Sequence, residues 1–343
     1  MILEKDSSIL GYPGEISKAL HADHHNVCKY DSPTDPNYII VRNALKSLIG
    51  KLIVKTSAEK PPTMSRRRSQ DLKSLLAIID LPDIDYIFFR DQWNQGTCEW
   101  ILQEKSYLDW KSTLDLAPQV LWLSGGPAAG KSVLSSFVIN SLVEQGACCL
   151  YFFIRFGDQR KRSLSFILRS IAYQLARTDP VFLGKVLELA DEGIDFETAD
   201  PRTIWERIFR GIVFSMRREE PLYWVIDGLD EATDPRTIIK QLSDLPFTGT
   251  SIRVLLVGRK TSEISSAFQK VPTKFHVSSI SIDGRVDDLR AYVRQELSMS
   301  GSPEYQETVI QRLLGGAQNN FLVSPQCGPL LSNAKWLVDS ARG

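Results

Sequence analysis

The chain has 343 residues, with 41 Lys+Arg against 41 Asp+Glu, 43% hydrophobic and 24% charged residues. That is the composition of an ordinary globular protein, long enough for more than one domain, and the balanced charge argues against a dedicated binder of nucleic acid or anionic membrane. The start, "MILEKDSSIL", lacks the apolar core of a signal peptide, and no apolar run approaches the roughly 18 residues of a membrane span. No membrane span, no specific nucleic acid and a cytoplasmic location are the expectation.

Along the chain, residues 1–50 are polar and turn-rich, with strong breakers in "GYPGE" and "DSPTDPNY". The stretch "VRNALKSLIGKLI" has helical spacing, and residues 55–69, with paired prolines and Arg66-Arg67-Arg68, read as a linker. From residue 70 to 117 apolar residues recur at helical spacing in "DLKSLLAIIDL" and "GTCEWILQEKSYLDWKSTL".

Short apolar runs then alternate with amphipathic stretches. "QVLWL", "CCLYFFIRF", "LYWVIDG", "IRVLLVG" and "KFHVSSISI" predict strands. "KSVLSSFVINSLVEQG", "SLSFILRSIAYQLART", "TIWERIFRGIVFSM" and "TIIKQLSDL" predict the intervening helices, the second stopped by Asp179-Pro180. Continuous apolar strands separated by helices predict an α/β fold, a doubly wound parallel sheet covered on both faces. Five cysteines with no C-x-x-C pair predict reduced thiols rather than a disulfide framework. There is no internal repeat.

Residues 124–132 read "SGGPAAGKS", between a predicted strand and a predicted helix. So many small residues offer little to a core and much as backbone. Glycines at 125, 126 and 130 permit φ > 0 and let main-chain N–H groups converge, and the following helix adds its first-turn N–H groups. Gly125-x-x-x-x-Gly130-Lys131-Ser132 fits the P-loop pattern in full. The loop Gly125, Gly126, Pro127, Ala128, Ala129, Gly130, Lys131, Ser132 and Val133 is therefore the candidate phosphate site. Lys131 would reach the β- and γ-phosphates, and Ser132 would be a Mg²⁺ ligand.

"PLYWVIDGLDEATD" places Asp227 at the end of an apolar strand, where open α/β sheets bind ligands. Asp227 is the second candidate Mg²⁺ group, and Asp230 and Glu231 are candidates to orient an attacking water. Arg259, just past "IRVLLV", could contact a γ-phosphate. No guanine-reading N-K-x-D element is present, so ATP is favoured over GTP.

Together these segments resemble the NACHT class of P-loop ATPases, a STAND-type family. Nearest in pattern is the nephrocystin-like N-terminal domain of fungal NOD-like receptors. "GTCEWIL" through "YLDW" and "SFILRSIAYQLA" carry the likeness outside the nucleotide motifs. It covers about residues 70–325, with 70–117 as lead-in helices, 118–285 as the ATPase core and 286–343 as a small, irregular helical segment. The resemblance implies ATP/ADP and Mg²⁺ as ligands, homo-oligomerisation through this domain, and slow hydrolysis that resets a signalling switch. It also implies catalytic roles for Asp230 and Glu231, as the hydrolytic acidic pair, and for Arg259, as the sensor. One departure is local: the family has Thr-Ser before the arginine and Pro after it, whereas this chain has Val257-Gly258 and Lys260. A non-hydrolysing scaffold, or a truncated and inactive receptor fragment, is the competing expectation.

Residues 1–54 resemble the tail of a lipase-like α/β-hydrolase domain, with His24 at the place of its triad histidine. No G-x-S-x-G nucleophile motif exists in the chain, so esterase activity is not expected.

Overall fold

The computed structural model describes residues 66–112, 118–246, 250–272, 276–283 and 285–296, with scattered positions at 35–42 and 304–311. The chain divides into two compact units, Met1–Thr63 and Met64–Gly343. In the first, Asp35 Oδ1 accepts the backbone N–H groups of Asn37 (2.8 Å) and Tyr38 (3.2 Å), and helical backbone follows. His24, the rest of the hydrolase-like segment and linker residues 55–65 lie outside the described residues.

The second unit is built on five parallel strands: β1 (Gln119–Ser124), β2 (Cys148–Phe153), β3 (Leu222–Asp227), β4 (Ile252–Gly258) and β5 (His276–Ser281). Their order is β2-β3-β4-β1-β5. β1 to β4 are mainly apolar runs because they are covered on both faces, and side chains alternate between two cores. On one face Val120, Trp122, Leu150, Phe152, Trp224, Ile226, Val254 and Leu256 join the helix Leu164–Thr178. On the other face Leu121, Leu123, Tyr151, Phe153, Val225 and Leu255 pack with Leu134, Val138 and Leu142 of the helix that follows the P-loop. β5 is the exposed edge, and Ile280 is its buried anchor.

Two helices sit elsewhere than the sequence suggested. The helix Arg66–Leu75 begins inside the segment read as linker, because Leu72 and Leu76 are buried against the core and hold it. The stretch predicted as one helix from 203 to 216 instead splits into Pro201–Ile204, a π-helical turn Trp205–Arg210 and a short 3₁₀ turn. Gly211 closes the wide turn by donating to the Glu206 carbonyl at 2.9 Å. A Cβ on Gly211 would stand 2.7 Å from the Arg207 carbonyl, so only glycine permits that close approach. The helix Asp83–Arg90 and the helix Pro180–Asp191 had no counterpart in the sequence reading. Asp179, read as a stop, also caps the second of these by accepting from the Val181 and Phe182 N–H groups.

The strand order sets where a ligand belongs. From β1 the chain runs to the far edge at β2, works back through β3 and β4, and then crosses β1 to reach β5. The reversal lies at β1, and ligands of open α/β sheets bind beyond the strand C-termini at such a point. The rim there is continuous. Gly125 N–H bonds to Gly258 O, Ile282 N–H to Ser124 O and Ile154 N–H to Asp227 O, each one residue past a strand end.

Candidate functional site

The loop after β1 is shaped by left-handed backbone at two positions. Gly130 has φ +80° and Ala128 has φ +53°. Their reversals aim successive N–H groups inward, and the helix Lys131–Glu144 starts at the end of that turn with its first-turn donors free for an anion. Gly125 and Gly126 do not use positive φ as expected. A Cβ on Gly125 would lie 2.3 Å from Ile282 Cγ1, so glycine is needed there for close packing.

Lys131 folds back over the loop, and its Nζ donates to the carbonyls of Gly125 (3.0 Å) and Gly126 (2.5 Å). Partial burial lowers its pKa, opposed by Asp230 and Asp227, while Arg259 adds to the lowering. These carbonyls hold the ammonium at the mouth of the loop, among two carboxylates and a guanidinium.

Asp227, 4% exposed, ends β3 beneath that ammonium. Ser132 Oγ donates to its Oδ2 at 2.6 Å and Ser135 Oγ to its Oδ1 at 3.1 Å. Burial pushes the Asp227 carboxyl up to about 6, against the opposing effect of the two serine hydroxyls and Lys131. Among the described residues it forms no ion pair, and the buried carboxylate and the Ser132 hydroxyl stand within hydrogen-bond distance of each other. One carboxylate, one hydroxyl and phosphate oxygens are a donor set suited to Mg²⁺, which is seldom caged by protein ligands alone.

Past Gly228, whose φ of +79° brings its backbone against the Ile154 carbonyl, the chain makes a tight turn through Leu229–Glu231. The two acids of that turn go opposite ways. Asp230 reaches toward β4, where its Oδ1 accepts the Arg259 backbone N–H (2.8 Å) and its Oδ2 meets Arg259 Nε (3.2 Å). Glu231 reaches toward β2, where it accepts the Phe156 N–H at 2.6 Å, and Arg162 Nε holds its carbonyl at 2.8 Å.

A cavity of about 640 Å³ opens over this rim. It is lined by Ala128, Ala129, Gly130, Lys131, Ser132 and Val133, and by Asp227, Asp230, Glu231 and Arg259, so these ten predicted residues converge. Gly125, Gly126 and Pro127 are not in its lining. The first two support the loop from behind.

The sequence reading missed the opposite wall, which Asn94, Thr97, Cys98 and Trp100 form with Arg285, Asp288 and Tyr292. Asp288 ties it together, accepting the Cys98 N–H (3.0 Å) and the Trp100 indole N–H (2.8 Å). Arg285 stacks 3.9 Å over the Trp100 ring and pairs with Glu104. The cavity is of nucleotide size and has a phosphate-suited end and an aromatic, mixed-polarity end.

Comparison with known proteins agrees with the motifs. Residues 96–259 match the family model described as Nephrocystin 3, N-terminal. Over 221 residues, 59% of this chain, the sequence is 24% identical to the vegetative incompatibility protein HET-E-1 of Podospora anserina, of whose length the match spans 16%. Among solved structures, a chain of the Drosophila ORC bound to DNA aligns with 85% of this chain and 70% of its own length, at 12% identity and a TM-score of 0.42. A chain of the Drosophila ORC bound to GC-rich DNA and Cdc6 aligns with 70% of this chain and 37% of its own, at 12% identity and a TM-score of 0.35. Among the described residues no helix is long and apolar enough to cross a membrane. The resemblance first read from the motifs is thus borne out across residues 96–259, which match that nephrocystin-like model and carry the phosphate-loop pattern on a parallel α/β sheet.

Proposed function

We propose that this domain binds ATP with Mg²⁺ and works as a nucleotide-dependent switch in a receptor of the fungal NOD-like type. The observation that carries the proposal is the convergence on one cavity of the phosphate loop, the Ser132–Asp227 pair and Arg259. Backbone N–H groups of Ala128 to Val133 cradle the phosphates, and Lys131 exchanges its loop carbonyls for β- and γ-phosphate oxygens. Ser132 and Asp227 would hold Mg²⁺, which when bound neutralises charge on the phosphates. Asp230, Glu231 and Arg259 stand at the γ-phosphate end, where hydrolysis would reset the switch. ATP and ADP then favour different states of the domain, and homo-oligomerisation in the ATP state transmits the signal.

A second reading, ATP held without hydrolysis, is favoured by one observation. Both acids are engaged by protein groups, Asp230 by Arg259 and Glu231 by the Phe156 N–H. Phosphate release separates the readings. Under the switch reading wild-type protein releases phosphate slowly, and Glu231→Gln lowers the rate while ATP still binds. No release above background from wild type would favour the scaffold.

A further inference from the structure

Asp230 is placed differently from a group that polarises water. Its side chain is only 8% exposed, and its two oxygens are taken by a single neighbour, the backbone N–H and the Nε of Arg259. The turn that carries it is fixed from both sides. Gly228 presses on the Ile154 carbonyl with no room for a Cβ (2.6 Å), Leu229 is fully buried, and Glu231 N–H closes onto Gly228 O at 2.7 Å. Arg259 is held by its stem alone. Its two terminal Nη groups have no partner among the described residues, its side chain is 52% exposed, and it borders the cavity beside Lys131. A guanidinium pinned at Nε with its Nη face open is a pre-organised anion donor.

Gly258 explains how the chain makes room for this. A Cβ at 258 would lie 2.9 Å from Asp230 Oδ1 and 3.2 Å from the Asp230 N. Any side chain at 258 would push the carboxylate off the arginine. The glycine at 258 and the Asp230–Arg259 clamp are therefore one feature.

We infer that Asp230 is a positioning residue that aims Arg259 at the terminal phosphate and so sets the preference of the site for nucleoside triphosphate over diphosphate. This rests on the nucleotide reading of the pocket and divides the acidic pair. Asp230 acts through Arg259, and Glu231, which accepts the Phe156 N–H on Oε2, is left with its other oxygen for water. Only a γ-phosphate extends to the Nη groups, so losing the aim weakens triphosphate binding and spares diphosphate binding.

The test is calorimetric titration of wild type, Asp230→Asn, Gly258→Ser, Arg259→Ala and the Asp230→Asn/Arg259→Ala double variant with ATP–Mg²⁺ and with ADP–Mg²⁺. Wild type should prefer ATP. Each single variant should lose on the order of tenfold of that preference, with ADP affinity held within about twofold. The double variant should lose no more than Arg259→Ala alone, since the two residues act as one. Gly258→Ser reads the clamp with Asp230 itself intact, which keeps the test valid if Asp230→Asn fails to fold. An unchanged ATP:ADP ratio in Asp230→Asn and Gly258→Ser, with phosphate release falling, would overturn the inference and make Asp230 a water-polarising acid. Failure of wild type to bind either nucleotide would overturn the nucleotide reading itself, and the inference with it.

Discussion

Gly125 and Ile282 meet so closely that a single added carbon has no place: a Cβ on Gly125 would stand 2.3 Å from Ile282 Cγ1 and 2.9 Å from its Cδ1. The first residue of the phosphate loop thus leans on the residue just past β5, and the loop's position is set by a strand more than 150 residues away in sequence. Asp283 reinforces the contact by accepting the Gly126 N–H at 2.7 Å. Gly125→Ala should destabilise the domain by about 1–3 kcal/mol through overpacking. Gly126→Ala should be mild, because its nearest neighbour would be Asp283 Oδ1 at an ordinary 3.5 Å. Ile282→Ala in the Gly125→Ala background should cost less than the roughly 2–5 kcal/mol of an ordinary buried isoleucine truncation, because it also removes the clash. Thermal melts of the four proteins check this, and equal effects at 125 and 126 would show that the contact is not limiting.

Asp227 makes a different prediction, about charge. A carboxylate this buried, held by two hydroxyls and by no ion pair among the described residues, is a cost to the fold. Asp227→Asn should leave the nucleotide-free protein as stable as wild type or more so, and should remove the dependence of ATP affinity on Mg²⁺. Titrations with Mg²⁺ and with EDTA measure this. A variant that still gains affinity from Mg²⁺ would place the ion elsewhere.

The wall that closes the cavity opposite the phosphate loop depends on Asp288. Its two bonds, to the Cys98 N–H and the Trp100 indole, join the lead-in segment to the helix Val286–Glu296. Asp288→Ala leaves both donors without their acceptor and should cost about 1–3 kcal/mol. ATP affinity should fall with it, while Asp288→Asn keeps one bond and loses less. Intrinsic fluorescence should report the release of Trp100. Nucleotide binding unaffected by both changes would remove this wall from the site.

How much of this was legible in the sequence depended on range. Strands β1 to β4 could be read because each is a short, mainly apolar run covered on both faces, and the phosphate loop because its geometry is local, four small residues before Gly130-Lys131-Ser132. Asp227 was legible as the polar end of an apolar strand. Other features depend on residues brought together only by the fold. Asp288 stands 190 residues from Cys98 and carries no local signal. The glycines at 125 and 258 look like ordinary loop freedom in sequence, yet they are there because Ile282 and Asp230 occupy the space a side chain would need. The π-helical turn was missed for a related reason. Trp205, Ile208, Phe209 and Phe214 have the apolar content of a regular helix, and the widening comes from their packing and from Gly211.

The central claim is that the loop at 125–133 holds the phosphates of ATP, and it is tested most directly by thermal shift of the full chain with and without ATP–Mg²⁺. A ligand at ~100 times its Kd adds about 2.7 kcal/mol, enough for a clear rise in Tm. Wild type should show that rise. Lys131→Ala should fold with a nucleotide-free Tm close to wild type, since the Nζ bonds only loop carbonyls, and should show no rise. Equal shifts in the two proteins, or none in wild type, would contradict the account.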